Sequence, residues 1–298
     1  MSHVLTLIAA HGAHGLLSDV ADELSASIGA THPPVRLAKS ACDIPFRAAS
    51  EAALAEAHKA LAAIPANVPI DSFIQPVEGR RKRMLVADMD STIIRQECLD
   101  EVAKAAGIGP KIAAITERAM RGELQFEDAL KLRIGLLHGF PEAKLRDVLD
   151  RQIELMPGAR ELTGTMRAHG GRAVLVSGGF TFFTSAIAKR AGFDIDYGNR
   201  FIFENGALAG VAEPILGQNA KLEAMEREAR HTGIGLGEII AVGDGANDLA
   251  MIKAAGLGVA FRAKPIVAAE ARARINHGDL TALLYLQGYR AEDFVTHA

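Results

Sequence analysis

Short apolar runs alternate with longer amphipathic stretches along most of this 298-residue chain. Three of the runs, residues 84–87, 173–176 and 239–242, contain only apolar side chains. Uninterrupted runs of this kind are typical of parallel strands that are buried on both faces. The pattern predicts an α/β core built on a parallel sheet, with strand and helix alternating again from Arg172 onward.

Residues 97–155 have a helical pattern and no strand pattern, although they lie between two of the predicted strands. Their apolar residues recur at near-helical intervals. The recurring positions are Ile112, Ile115, Ala119, Leu124, Phe126, Leu130, Ile134 and Leu137. We interpret this segment as a helical cap that is inserted into the α/β core, with most of these side chains packing between its helices.

The amino-terminal part of the chain is predicted to be a separate small α+β domain at residues 1–79, followed by a larger domain at residues 80–298. Strands are predicted at residues 4–9 and 35–41. A helix is predicted after each strand, at residues 16–28 and 51–64. Prolines interrupt the stretch from Pro65 through Pro76, which we interpret as the end of the first domain and a linker to the basic run at Arg80.

Two carboxylates follow the first apolar run directly. Asp88 is predicted to emerge at the carboxyl end of its strand, where open α/β sheets bind ligands, and Asp90 lies two residues further on. A carboxylate can attack phosphorus to form an aspartyl-phosphate, and a second carboxyl group can transfer the proton. Taken alone, two acids after a strand are equally explained by a helix cap, a metal site or a solvated turn.

The other predicted strands also lead into residue types that suit phosphate. Ser177, Gly178 and Gly179 follow the second run, where a hydroxyl and backbone amides can hold phosphate oxygens. Residues 243–248 follow the third run and include acids that can hold a hard cation such as Mg²⁺. Lys221 lies near a predicted helix start and offers a compact positive charge. Taken singly, the serine is also explained as a helix cap and the lysine as solvated surface.

Composition narrows the function classes. The chain has 33 Lys and Arg against 36 Asp and Glu, a formal charge of −3, so charge indicates no nucleic-acid or membrane partner. The basic run at residues 80–83 is interpreted as a solvated linker. Cys42 and Cys98 are too few for a disulfide framework, and no apolar stretch reaches the length of a transmembrane helix. We therefore expect a cytoplasmic enzyme.

These motifs together resemble the haloacid dehalogenase (HAD) superfamily and, within it, the phosphoserine phosphatase family. The first superfamily motif, Asp-x-Asp-x-Thr, is present at residues 88–92, and the resemblance spans about residues 80–290. Further matches are Glu97, residues 119–127, Arg133, residues 177–180 and residues 243–248. The resemblance implies a Rossmann-like HAD core with a helical cap at about residues 97–155. It also implies Mg²⁺-dependent hydrolysis of O-phospho-L-serine, the last step of serine biosynthesis.

The resemblance assigns roles to the matching side chains. Asp88 would be the nucleophile and Asp90 the general acid and base, with Ser177 and Lys221 neutralising the phosphate. The expected metal-binding residues are Asp88, Asp90 through its backbone carbonyl, Asp244 and Asp248. The expected substrate-binding residues are Glu97, Met120, Phe126, Arg133, Ser177, Gly178, Gly179 and Asn247. Within this set, Glu97 and Arg133 would bind the ammonium and carboxylate groups of phosphoserine, and Met120 and Phe126 would exclude water.

The amino-terminal domain is similar to the regulatory ACT-like (ferredoxin-like) domains of some phosphoserine phosphatases, and pairing through its sheet edge would make a homodimer. Two other function classes use the same residues. A phosphotransferase or a general hydrolase of small phosphates could use the same loops, and an amino-acid sensor could retain an inactive catalytic domain. Every catalytic position is present, which argues against the sensor. A closed cap would exclude a polypeptide, so the expected partner is a small molecule.

Overall fold

The computed structural model describes residues 2–65, 67–121, 123–217 and 219–296, which contain a four-stranded and a seven-stranded sheet. The first elements are β1 (His3–Ala9), α1 (His14–Ser27), β2 (Val35–Arg36), β3 (Ala41–Phe46), α2 (Glu51–Ala62) and β4 (Ile70–Pro76). Their strands form an antiparallel sheet in the order β2-β3-β1-β4. This βαββαβ arrangement is ferredoxin-like, as predicted.

Two predictions for this region are wrong in detail. The strand predicted at residues 35–41 is in fact two strands, because the chain turns after β2 and β3 begins only at Ala41. Part of the predicted linker is the strand β4, which pairs with all seven residues of β1. Pro69 precedes β4 and Pro76 ends it, and strands tolerate proline at such positions. The prolines therefore delimit a strand, and the division of the chain at residues 79 and 80 stays a prediction.

The remaining elements build the larger part of the molecule. They are β5 (Met84–Ala87), α3 (Cys98–Ala105), α4 (Gly109–Met120), α5 (Phe126–Leu136), α6 (Glu142–Arg151), α7 (Ala159–Ala168), β6 (Arg172–Phe180), α8 (Thr181–Ala191), β7 (Ile195–Glu204), β8 (Ala207–Ala212), α9 (Ala220–Thr232), β9 (Ile239–Gly243), α10 (Leu249–Ala254), β10 (Leu257–Phe261), α11 (Pro265–Glu270), β11 (Ala273–Ile275) and α12 (Ala282–Leu286). The sheet order is β11-β10-β9-β5-β6-β7-β8, and every pair is parallel except β7 with β8. The predicted α/β core and its inserted cap helices, α3 to α6, are confirmed.

The central strand β5 is buried on both faces, as its apolar run predicts. Leu85 and Ala87 face one hydrophobic cluster, and Met84 and Val86 face the other. This alternation follows from the two-residue period of a strand. Because β5 lies between β6 and β9, its carboxyl end lies beside the ends of the two other strands that carry candidate site residues. Among the described residues, none of the helices has the length and hydropathy needed to span a bilayer.

Arg80 joins the two sheets through a buried ion pair. Its guanidinium donates to Asp43 on β3, with Nη1 to Oδ2 at 2.7 Å, and their side chains are only 13% and 9% exposed. It also donates to the Thr6 hydroxyl and to the backbone carbonyls of Tyr285 and Leu286. The interpretation of Arg80 as part of a solvated linker is therefore wrong.

A second carboxylate ties the edges of the two sheets together. Asp71 on β4 is buried and accepts hydrogen bonds from the backbone amides of Asn276, His277 and Gly278, directly after β11. Three amide donors satisfy a carboxylate that would otherwise be costly to bury. The junction therefore depends on polar groups whose partners are far apart in sequence.

We expect Arg80→Met to lower the free energy of unfolding by about 3 kcal/mol, because the Asp43 carboxylate stays buried after losing its cation. Urea unfolding followed by circular dichroism measures the change. Arg81→Met is the matched control: Arg81 stacks on the Tyr289 ring, 4.2 Å from its centroid, at the surface, and its loss should cost less than about 1 kcal/mol. Equal losses for the two variants would contradict a special role for the Arg80–Asp43 pair.

Candidate active site

The carboxyl ends of β5, β6 and β9 open into one cleft beneath the cap helices. The cleft has a volume of about 430 Å³ and is lined by Asp88 after β5, Ser177 on β6 and Asp244 after β9. Parallel strands direct their carboxyl ends to the same edge of the sheet, which is why residues so distant in sequence meet here. The cap contributes Phe126 and Arg133 from α5.

Lys221 lies between two carboxylates at the bottom of the site. Its Nζ is 2.6 Å from an oxygen of Asp88 and 2.6 Å from an oxygen of Asp248, and all three side chains are buried. Burial disfavours the charge on Lys221, but the two carboxylates outweigh it and raise its pKa. The lysine is therefore a fixed cation in the site.

Asp248 fixes the loop after β9 from within. One of its oxygens faces Lys221, while the other accepts hydrogen bonds from the amides of Asp244 at 3.1 Å and Gly245 at 2.9 Å. Gly243 makes this possible, since a Cβ there would lie 2.3 Å from Asp248 Cγ. The carboxylate of Asp248 is thus largely occupied in holding Lys221 and the loop.

Asp90 is held away from this ion-pair network. Its Oδ1 accepts a hydrogen bond of 2.7 Å from the Cys98 amide, and its Oδ2 accepts one of 3.2 Å from the Ser177 hydroxyl. Burial raises the pKa of Asp90, against the lowering effect of these donors and of Lys221. Two carboxyl groups two residues apart therefore have different partners, the ammonium of Lys221 for Asp88 and neutral donors for Asp90.

A strained turn connects Asp90 to the rim of the cleft. Ser91 has a left-handed backbone with φ of 56°, and its hydroxyl donates a 2.7 Å hydrogen bond to Glu97. Desolvation within the cleft, followed by the charge of Asp90, raises the pKa of Glu97 to about 7, whereas the Ser91 hydrogen bond lowers it. The carboxylate of Glu97 is thus oriented at the open side of the cleft.

The cap wall is formed by an aromatic ring and a half-buried cation. Phe126 lies against the backbone of Gly178, where a Cβ would be 3.1 Å from the end of the ring. Arg133 donates to the Ala129 carbonyl, and burial lowers its pKa while the acids of the cleft, including Glu97, oppose the change. The side chain of Met120, which was expected to complete this wall, lies outside the described residues.

Other predicted residues also lie at the cleft, together with polar residues that were not predicted. Gly178, Gly179 and Asn247 line it as expected. Ser91 and Lys264 line it as well, although the sequence reasoning did not select them. Ser91 lies inside the first motif, and Lys264 follows the end of β10, so the rule that located Asp88 and Asp244 would also have located Lys264.

Three acids in the site form a group that suits a metal ion. One oxygen from each of Asp88, Asp244 and Asp248 lies within 4.8 Å of the others. Burial and the charge of Asp248 raise the pKa values of both Asp88 and Asp244, so Lys221 alone does not fully stabilise their ionised forms. Carboxylate oxygens at this density fit a hard divalent cation. The carboxylate of Asp90 is not in the group, consistent with a contact through its backbone alone.

Comparisons with known proteins agree on this region. The signature of the haloacid dehalogenase-like hydrolases matches residues 85–253. A phosphoserine phosphatase of Haemophilus influenzae is 45% identical over 204 residues, which are 68% of this chain but only 65%, less than two thirds, of that protein.

Two solved structures are similar over different extents. A HAD family hydrolase of Salmonella enterica serovar Typhi has a TM-score of 0.84 at 30% identity, covering 96% of this chain and 98% of its own. A phosphoserine phosphatase with a phospho-aspartyl intermediate analogue has a TM-score of 0.64 at 39% identity, covering 69% of this chain and 98% of its own. The similarity to the first extends over the amino-terminal sheet as well as the core.

We expect Ser91→Gly to raise the pKa of Glu97 above the wild-type value of about 7, because the hydroxyl stabilises the ionised carboxylate. Glycine retains the left-handed backbone without strain, so the variant removes little else. Carbon-detected NMR titration of the Glu97 carboxyl measures the change. Thr116→Ala is the control, since the Thr116 hydroxyl lines the cleft but donates to the Ile112 carbonyl. An unchanged titration in Ser91→Gly would show that the hydrogen bond does not act on Glu97.

Proposed function

The chain belongs to the haloacid dehalogenase-like hydrolase family, and we propose that it is a phosphoserine phosphatase that hydrolyses O-phospho-L-serine to L-serine and phosphate. One observation carries the proposal: Asp88, Asp90, Glu97 and Arg133 line the same cleft, and the ammonium of Lys221 lies 2.6 Å from an oxygen of Asp88. The similarity to phosphoserine phosphatases supports the same activity. A place at the last step of serine biosynthesis follows from this reaction.

In the first chemical step, Asp88 attacks phosphorus and the bond between phosphorus and the serine oxygen breaks. Asp90 donates its proton to that oxygen, so serine leaves neutral at its hydroxyl and Asp88 becomes an aspartyl-phosphate. The raised pKa of Asp90 favours the protonated form that this step requires. Burial and the charge of Asp248 raise the pKa of Asp88, whereas Lys221, 2.6 Å away, favours the ionised form that attacks phosphorus.

In the second step, water attacks the phosphorus of the aspartyl-phosphate. Asp90, now ionised, accepts a proton from the water, and cleavage of the bond to the Asp88 oxygen restores the carboxylate and releases phosphate. The Ser177 hydroxyl, the Gly178 amide and Lys221 would hold the non-bridging phosphate oxygens in both steps. Gly179 supports this arrangement, because its amide donates to the Ser177 hydroxyl at 2.9 Å.

Mg²⁺ is the proposed cofactor. Asp88 and Asp244 would hold it through their carboxylates and Asp90 through its backbone carbonyl, while Asp248 and Asn247 support the loop and the substrate. When bound, the ion would offset the repulsion between the Asp88 carboxylate and the phosphate. The convergence of three carboxyl groups whose ionised forms Lys221 does not fully stabilise is the observation in this molecule that fits such an ion.

The cap side of the cleft would select the amino acid. Arg133 would pair with the substrate carboxylate and Glu97 with its ammonium group, so a zwitterion is bound at both ends. Phe126, packed against Gly178, would exclude water from the reacting phosphate. Met120 stays a predicted partner of Phe126. A sugar phosphate offers neither charge, so it would leave both side chains without a partner.

The proposal is tested by phosphate release from L-phosphoserine, phosphothreonine, phosphoethanolamine and a sugar phosphate, each with Mg²⁺ and with chelator. We expect a strong preference for L-phosphoserine and loss of turnover on chelation. Asp88→Asn is the inactive control, because an amide is a poor nucleophile. Equal turnover of all four substrates would instead indicate a general phosphatase, and transfer to added homoserine would indicate a phosphotransferase.

We expect Arg133→Met to reduce kcat/KM for phosphoserine by on the order of a hundredfold, since the substrate carboxylate loses its charged partner. Activity on phosphoethanolamine, which has no carboxylate, should change much less. Lys131→Met is the matched control on the same helix: Lys131 is exposed, pairs with Glu213 and should change kcat/KM by less than about twofold. Unchanged phosphoserine turnover in Arg133→Met would exclude this residue as the carboxylate partner.

A further inference from the structure

The basic run at residues 80–83 has partners that differ from residue to residue. Arg80 pairs with Asp43, Arg81 stacks on Tyr289 and Arg83 pairs with Glu238. Lys82 is the exception, because its ammonium donates to the backbone carbonyls of Gly79 at 2.7 Å and Gly237 at 2.9 Å. Among the described residues, Lys82 forms no ion pair with a carboxylate.

Lys82 lines a second pocket, which lies at the junction of the two sheets and apart from the active-site cleft. The pocket has a volume of about 150 Å³, and its walls come from β4, the basic run and the loops next to β10 and β11. Arg272, which directly precedes β11, lines it from the core side. Its guanidinium donates to the Gly256 carbonyl at 3.2 Å, and it too forms no ion pair within the described part of the chain.

The two cations therefore share one pocket without a carboxylate that neutralises them. Burial and then the charge of Arg272 lower the pKa of Lys82, while the charge of Glu238 partly opposes the change. Arg80 also lines the pocket, but Asp43 already neutralises it. Glu78 is the acid of the lining, and its exposed side chain contacts neither free cation.

We propose that this pocket is a second anion-binding site, which holds a tetrahedral oxyanion of the phosphate class between Lys82 and Arg272. The guanidinium offers donors in a fixed plane and the ammonium a point charge, the two forms in which proteins bind such anions. A bound oxyanion offsets the repulsion between the two cations. Its site includes residues from both sides of the junction, since Gly79 and Pro76 line the pocket together with Arg272.

The size of the pocket favours a free inorganic anion over a phosphorylated metabolite. Cavities that take drug-sized organic ligands have volumes of roughly 300 Å³ or more, about twice the volume of this one. The active-site cleft, at about 430 Å³, is of that larger class. Inorganic phosphate is therefore the probe of choice, and glycerol 3-phosphate tests the alternative source of the same chemistry.

Calorimetric titration of the full chain with inorganic phosphate tests the site, and two classes of binding are expected. Arg272→Gln should weaken one class by about tenfold or more, because a charged hydrogen-bond donor is lost. Arg274→Gln is the matched control, because it removes the same charge from a residue that is exposed on β11 and does not line the pocket. Lys82→Gln provides an independent variant, which should weaken the same class as Arg272→Gln.

Equal effects of Arg272→Gln and Arg274→Gln would overturn the proposal, because phosphate binding would then depend on overall charge and not on this pocket. No effect of either variant would also overturn it. Tighter binding of glycerol 3-phosphate than of phosphate to this class would overturn the choice of an inorganic anion. Ser177→Ala separates the two sites, because it should weaken only the active-site class. Failure of the proposed phosphatase function would appear as lost turnover, with the Lys82 and Arg272 class still present.

Discussion

The candidate site depends on one buried ammonium group that is shared by two carboxylates. The ammonium of Lys221 lies 2.6 Å from an oxygen of Asp88 and 2.6 Å from an oxygen of Asp248. All three side chains are buried, where an unpaired charge of either sign would be strongly disfavoured. Asp248 in turn fixes the amides of the loop that positions Asp244. Three segments that are distant in sequence are thereby held in one arrangement, and removing the lysine would leave two buried anions facing each other.

The same physical logic holds the two sheets together. Asp43 and Asp71 are buried carboxylates of the small sheet, and each is satisfied by groups from the larger part of the chain: the Arg80 guanidinium for one and three backbone amides for the other. Buried polar pairs contribute little to the net free energy of unfolding, but removing one partner lowers that free energy strongly, because the other group stays buried and unpaired. They therefore fix the relative position of the sheets more than they strengthen the contact.

The sequence was sufficient to predict the strands and residues whose signal is local. The apolar runs before Asp88 and Asp244 predicted buried parallel strands, and strand order then places their ends side by side. The strand β4 was missed, because its flanking prolines resemble a linker and its pairing with β1 is not local. Arg80 was misinterpreted for the same reason: its partners Asp43 and Leu286 are distant in sequence. Ser91 was missed because a positive φ is a property of the folded turn.

The electrostatics of the cleft account for the substrate selectivity that we propose. Asp88, Asp90, Asp244 and Glu97 lie close together in the cleft, and burial raises the pKa of each. A divalent cation at the acid group and an ammonium group at Glu97 would each favour the ionised carboxylates, whereas a phosphate alone would add to the repulsion. The cleft is thus complementary to a ligand set that is positive at two points and negative at the phosphate and carboxylate. A phosphate ester of a zwitterionic amino acid, bound with a metal ion, has that distribution of charge, and a phosphate ester of an uncharged sugar does not.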